Sequence, residues 1–301
     1  MSRVACVSAC TLVALACSGP PRPAPSRDEL RNATYAGITP APVTLYEGRW
    51  LGEPSQPGAA SRAMVELVEG FRLESDVDGD GTPEAVVLLA ASEGGSGTFV
   101  HLALVGRRGR SVSSLATTRV GDRVQVRAGK FEADRIVLDT LETGPGDAAC
   151  CPTEKARRTY QIEDGALREV ESERLGPISL LDLVGPDWVL RGFDVDDPAP
   201  SEPEITLAFE PERVQGQAGC NRYFASIGAG GHRPTDLAFG PVGATRMACA
   251  EPAMALERRY LAALGAVDSF GFMPGRLALR WVAGDARGVL LFEERSGAAA
   301  L

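Results

Sequence analysis

Gly219-Cys220-Asn221-Arg222-Tyr223-Phe224 and Thr245-Arg246-Met247-Ala248-Cys249 decide how the last third of this chain is read. Each run places one cysteine in a segment that otherwise reads as strand or turn. Working outward, Ile205-Thr206-Leu207-Ala208-Phe209 alternates apolar and polar residues as a half-buried strand does. Leu237-Ala238-Phe239-Gly240-Pro241-Val242 is a further strand. After Cys249 comes the one convincing helix: Pro252 suits its first turn, Leu256, Tyr260 and Leu264 share a face, and Gly265 ends it. Leu277, Leu279 and Trp281 then alternate, and a hairpin through Gly284-Asp285 leads to Phe292. One helix docked on a curved antiparallel sheet predicts an α+β unit in which β dominates.

Together the two cysteine runs resemble the signature of the META (HslJ-like) domain, a small module of bacterial envelope proteins, and the resemblance covers residues 178–294. It implies an opening strand around Trp188 within residues 183–190 and a central hairpin over residues 214–223. It also implies an envelope location and a stress-related role, and it names no reaction. A Cys220–Cys249 bridge would close a loop of roughly 30 residues and stabilise the fold by about 3 kcal/mol in the chain-entropy model. Asn221 suits a turn or bulge where its amide caps neighbouring backbone groups. Asn221, Arg222, Thr245 and Arg246 are alternatively a binding surface for an anionic envelope ligand.

The N-terminus sets the expected compartment. Arg3 precedes an uncharged, mostly apolar stretch, residues 4–16, which has the length of a signal-peptide core and is too short to span a bilayer as a helix. Val13-Ala14-Leu15-Ala16-Cys17 resembles a bacterial lipobox, so residues 1–16 read as a lipoprotein signal peptide and Cys17 as the lipidated mature N-terminus. Ser18, where an Asp would suggest inner-membrane retention, implies the outer membrane and periplasm in a Gram-negative cell. With Cys17 acylated, Cys150, Cys151, Cys220 and Cys249 remain, enough for two disulfides in an oxidising compartment, and three pairings are open. A formal charge of -9 without a basic cluster argues against nucleic acid as a partner.

Residues 17–42, rich in Pro, Ala, Arg and Ser, read as a tether between lipid and folded chain. Residues 43–175 read as an all-β sandwich or open barrel, 178–294 as the META-like unit and 295–301 as a tail. Ala85-Val86-Val87-Leu88-Leu89-Ala90 is an unbroken apolar run, the mark of a central strand. Residues 98–105 and 131–141 are further β-rich stretches, divided by Gly-rich turns. Within this unit Asp76-Val77-Asp78-Gly79-Asp80-Gly81-Thr82-Pro83-Glu84 spaces carboxylates so that they can converge on a hard cation such as Ca²⁺. Asp76, Asp78, Asp80 and Glu84 are the candidate ligands, with the Thr82 carbonyl as a further oxygen. Position twelve, where an EF-hand needs a bidentate Glu, is Val87, so the loop is not an EF-hand. The plainer reading is a turn held by Asp side chains. Cys150-Cys151-Pro152-Thr153 reads as a local structural disulfide.

Catalysis finds little footing. The chain has no Gly-x-Ser-x-Gly elbow, no His-Glu-x-x-His, no phosphate loop and no dinucleotide fingerprint. With only His101 and His232, a His-based triad or zinc centre is not expected. Paired carboxylates acting on cell-wall glycans are the alternative. The expectation is therefore a lipid-anchored envelope protein with a structural, stress-related or ligand- and partner-binding role. The oligomeric state is left open.

Overall fold

A computed structural model describes residues 22–54, 61–95, 97–109, 111–147, 152–273 and 276–295. The expected signal peptide, Cys17, and Cys150 with Cys151 lie outside the described residues. Helix α1 (Arg27–Arg31) precedes β1 (Thr34–Tyr35), β2 (Val43–Thr44), β3 (Arg49–Pro54), β4 (Arg62–Ser75), β5 (Glu84–Ser92), β6 (Phe99–Arg108) and β7 (Ser111–Asp122). These strands form a seven-stranded sheet in the order β2-β1-β7-β6-β5-β4-β3. Four more, β8 (Gln125–Glu132), β9 (Arg135–Glu142), β10 (Glu154–Glu163) and β11 (Ala166–Pro177), make a second sheet in the order β11-β10-β9-β8.

The apolar run in β5 is unbroken because both of its faces are covered. Ala85, Val87 and Leu89 pack with Tyr35, Leu45 and Val65, whereas Val86 and Leu88 pack with Leu102, Ile136, Leu138 and Tyr160 across from the second sheet. The two sheets thus enclose a sandwich core, and the outer face of the larger sheet carries another core. That outer core is sealed by chain expected to be a tether. Ser26 and Glu29 form a capping box that starts α1. Leu30 and Tyr35 are buried, and the Tyr35 hydroxyl donates to the Leu30 carbonyl at 2.9 Å. Arg107 clamps Glu29 with two hydrogen bonds of 2.6 Å. From Arg22 onward the proposed tether is therefore folded: a few well-placed apolar and capping residues outweigh the Pro-rich composition.

Residues 131–141 are β-rich as expected, with Ala133, at φ 54°, turning the chain between β8 and β9. Strand β11 runs through the boundary expected at residues 174–177 and ends there, and the very next residue, Ile178, is buried in the C-terminal core.

That core belongs to a ten-stranded sheet. After a 3₁₀ turn (Leu180–Leu183) come β12 (Asp187–Asp194), β13 (Asp197–Pro198), β14 (Thr206–Phe209), β15 (Arg213–Gln217), β16 (Arg222–Ala229), β17 (Leu237–Phe239) and β18 (Gly243–Ala244). Helix α2 (Glu251–Leu264) follows, then β19 (Val267–Met273), β20 (Arg276–Ala283) and β21 (Ala286–Glu294). The main path is β17-β16-β15-β14-β12-β21-β20-β19, and a bridge between Asp236 and Ser269 draws its two ends together. Trp188 stands in β12, while the first part of the expected opening strand is the last residue of the 3₁₀ turn, Leu183, and the link that follows it. Helix α2 turns Tyr260 and Leu264 into the barrel-like core, with Phe209, Tyr223 and Phe292, and Gly265 caps it as its sequence predicts.

The second sheet joins the two ends of the molecule. Leu141 of β9 sits in the C-terminal core, and the Gln125 side chain accepts a hydrogen bond from the Phe272 backbone at 2.6 Å. Lys155 pairs with Asp182 at 2.7 Å, and the Arg127 guanidinium lies 4.7 Å from the Phe272 ring centroid.

Candidate functional site

The two cysteine runs meet at one end of α2. Gly219 takes a φ of +99°, which turns the chain out of β15 and sets Cys220 opposite Cys249, where a disulfide joins them across a sequence separation of 29. Beside it Asn221 is only 1% exposed, and every polar atom it carries is committed. Its backbone N–H and side-chain amide donate to the two oxygens of Glu257 at 2.8 and 3.1 Å. Its side-chain carbonyl accepts from the Thr245 hydroxyl at 2.8 Å and from the Met247 N–H at 2.7 Å. Glu257 is itself buried, so this pairing answers the cost of placing a carboxylate inside the protein. Below it, the Tyr223 and Tyr260 hydroxyls meet at 2.6 Å, and burial pushes both phenols well above their ordinary range.

This geometry divides the four residues read as a binding surface. Asn221 faces inward and holds the coil 245–249 against α2. The Thr245 hydroxyl is spent on Asn221 and on the Arg222 backbone N–H. Arg222 and Arg246 remain exposed, alongside Phe224 at 60% and Met247 at 55% exposure. Glu257 escaped notice in the sequence because one Glu on an amphipathic helix looks like solvated surface. Its position one residue from Leu256 of the apolar face was the available signal.

The acidic loop joins β4 to β5. Asp76 accepts from the Gly81 N–H, Asp78 from Asp80, Asp80 from Thr82, and Glu84 from Val77, at 2.7 to 3.1 Å. Carboxylate oxygens of Asp76, Asp78 and Glu84 lie within 4.8 Å of one another, so three of the four candidate ligands converge. Asp80 stays outside that group and braces the turn at Thr82. Glu84 is 4% exposed, and its carboxyl is raised from the ordinary range, first by burial and then by the neighbouring Asp charges, against the Val77 hydrogen bond. Three hard oxygens fit one face of a Ca²⁺ shell, which takes six to eight ligands, the remainder from water or main-chain carbonyls.

The loop also forms one lip of an open cavity of about 1130 Å³ at the end of the sandwich. Elsewhere, Asp147 accepts from Thr153 through both backbone and hydroxyl and so closes the base of the segment that carries the two adjacent cysteines.

No helix among the described residues is long and apolar enough to cross a membrane. No curated protein matches this chain. An NMR structure of a protein from Burkholderia xenovorans is 26% identical over 43% of this chain and 99% of its own, with a TM-score of 0.30. The family model for the META domain matches residues 181–296, the span that holds the disulfide, the Asn221–Glu257 pair and the curled sheet. The C-terminal part of this chain is a META domain.

Proposed function

We propose that this chain is an exported, lipid-anchored protein of the cell envelope whose META domain supports a structural, stress-related or partner-binding role without catalysis. One observation carries the reading. Phe224, Met247, Arg222 and Arg246 are all exposed, on two segments that the Cys220–Cys249 bridge and Asn221 hold together. Apolar and Arg side chains on a rigid surface suit recognition of an envelope protein or an anionic envelope ligand. The disulfide is consistent with an oxidising compartment, and the lipobox-like run before Cys17 supplies the anchor.

Metabolic labelling with palmitate tests the anchor: label is expected on the wild type and absent from Cys17→Ala. Deletion of the gene followed by exposure to detergents, antibiotics and heat tests the role. Wild-type survival under all three would remove the envelope-integrity reading. For the acidic loop we propose Ca²⁺ as the ligand, which rigidifies the β4–β5 connection. Calorimetric titration should give heat that vanishes in Asp78→Ala, and no heat at millimolar Ca²⁺ would dismiss the site.

A second reading, a glycan hydrolase of the envelope, draws on Glu84. A buried carboxyl with a raised pKa, with the Asp78 carboxyl beside it in an open cavity, has the character of a general acid. Release of reducing ends from cell-wall glycan by the wild type, lost in Glu84→Gln, would replace the first reading with this one.

A further inference from the structure

The cavity at the open end of the sandwich is bipolar, and its dimensions select a ligand. Its floor is apolar: Leu104, Leu115 and Ala116 come from the larger sheet and Ile162 from the smaller one. One lip is the β4–β5 loop, which brings Asp78 and Asp80 to the mouth. The other is the β6–β7 turn, with Arg108 and, alongside it, Arg22. Arg107 is committed to Glu29, and the Arg22 guanidinium is steered by the Gly109 carbonyl at 3.0 Å. Arg108 is exposed and forms no ion pair among the described residues. The cavity thus presents, on one side, carboxylates that accept turn N–H groups but have no cationic partner among the described residues, on the other a guanidinium without an ion pair, and apolar surface between.

The sheet order β7-β6-β5-β4 fixes the spacing of these lips. Neighbouring strands lie about 4.8 Å apart, so the centres of the two turns are about 10 Å apart along the sheet edge. An extended chain advances about 3.5 Å per residue, so three residues span that distance. We propose that this cavity binds short apolar peptides with free termini, the ammonium group against Asp78 and Asp80 and the carboxylate against Arg108 and Arg22.

The test is calorimetric titration of the full chain with the tripeptide Leu-Ala-Leu, in chelator so that the loop carboxylates are free. The free tripeptide is expected to bind. N-acetylation and C-amidation should each weaken binding about tenfold, the effect of losing a hydrogen bond to a charged group. The Asp78→Asn, Asp80→Asn double variant should weaken the free tripeptide but leave the N-acetylated one unchanged, and Arg108→Gln should do the same for the amidated one. Both variants change exposed residues and should fold, as circular dichroism will check. Ala116→Trp should abolish binding by filling the floor. Absence of binding at millimolar peptide, equal binding of free and capped peptides, or insensitivity to both charge variants would overturn the proposal.

Discussion

Asn221 shows how much a single short side chain can hold. It satisfies a buried carboxylate on α2 and, from its other face, two groups of the coil that carries Cys249. Asn221→Ala leaves Glu257 with the backbone N–H alone and takes the acceptor from the Thr245 hydroxyl and the Met247 N–H, a loss of about 3 kcal/mol on urea denaturation. Arg222→Ala, one residue along but exposed, should stay within about 0.5 kcal/mol. The cysteines and Asn221 were legible in the sequence as a structural cluster through their resemblance to the META signature. Their partner Glu257 was not, since nothing local marks which glutamate of a helix will be turned inward. The acidic loop behaves the same way: residue spacing identified it, but only the fold shows Glu84 drawn under the sheet edge while Asp80 stays in the turn.

Element by element, legibility follows periodicity. Helix α2, the β20–β21 hairpin and β5 carry their own apolar pattern and were found. Strands β10 and β11 were missed: of β11 only Leu167 is buried, so its charged run carries no burial pattern. Helix α1 has only five residues and is held by its cap and by Arg107, so composition alone hid it. Its stability should depend on pH. Arg107, followed by the Ser26 backbone N–H, lowers the Glu29 carboxyl from 4.5 to about 2. A depressed folded-state pKa contributes stability that is complete above the unfolded value and is lost as pH falls through the folded one. The difference in melting temperature between wild type and Glu29→Gln should therefore be constant above about pH 5 and shrink between about pH 4.5 and 2. A constant difference down to pH 2 would show that the clamp does not depend on charge.

At the scale of the whole molecule, the β8–β11 sheet packs in both directions, against the sandwich core and against the META domain. Leu141 marks the junction, since it belongs to β9 in sequence and to the C-terminal core in space. Leu141→Ala should cost about 2 to 5 kcal/mol. Scanning calorimetry should show the wild type melting in one transition, and the variant should lower the melting point of both ends together. Two separate transitions in the wild type would mean that the Gln125, Lys155 and Leu141 contacts do not couple the halves.

The bridge between Cys220 and Cys249 encloses β16, β17 and β18 in a covalent ring, and the exposed turn at residues 230–234 lies on that ring. A protease that cuts there severs the main chain without releasing either piece. The nicked protein should migrate as one band on a denaturing gel and separate into two only when a thiol is added. A protein built this way keeps both pieces together after a cut in this exposed turn.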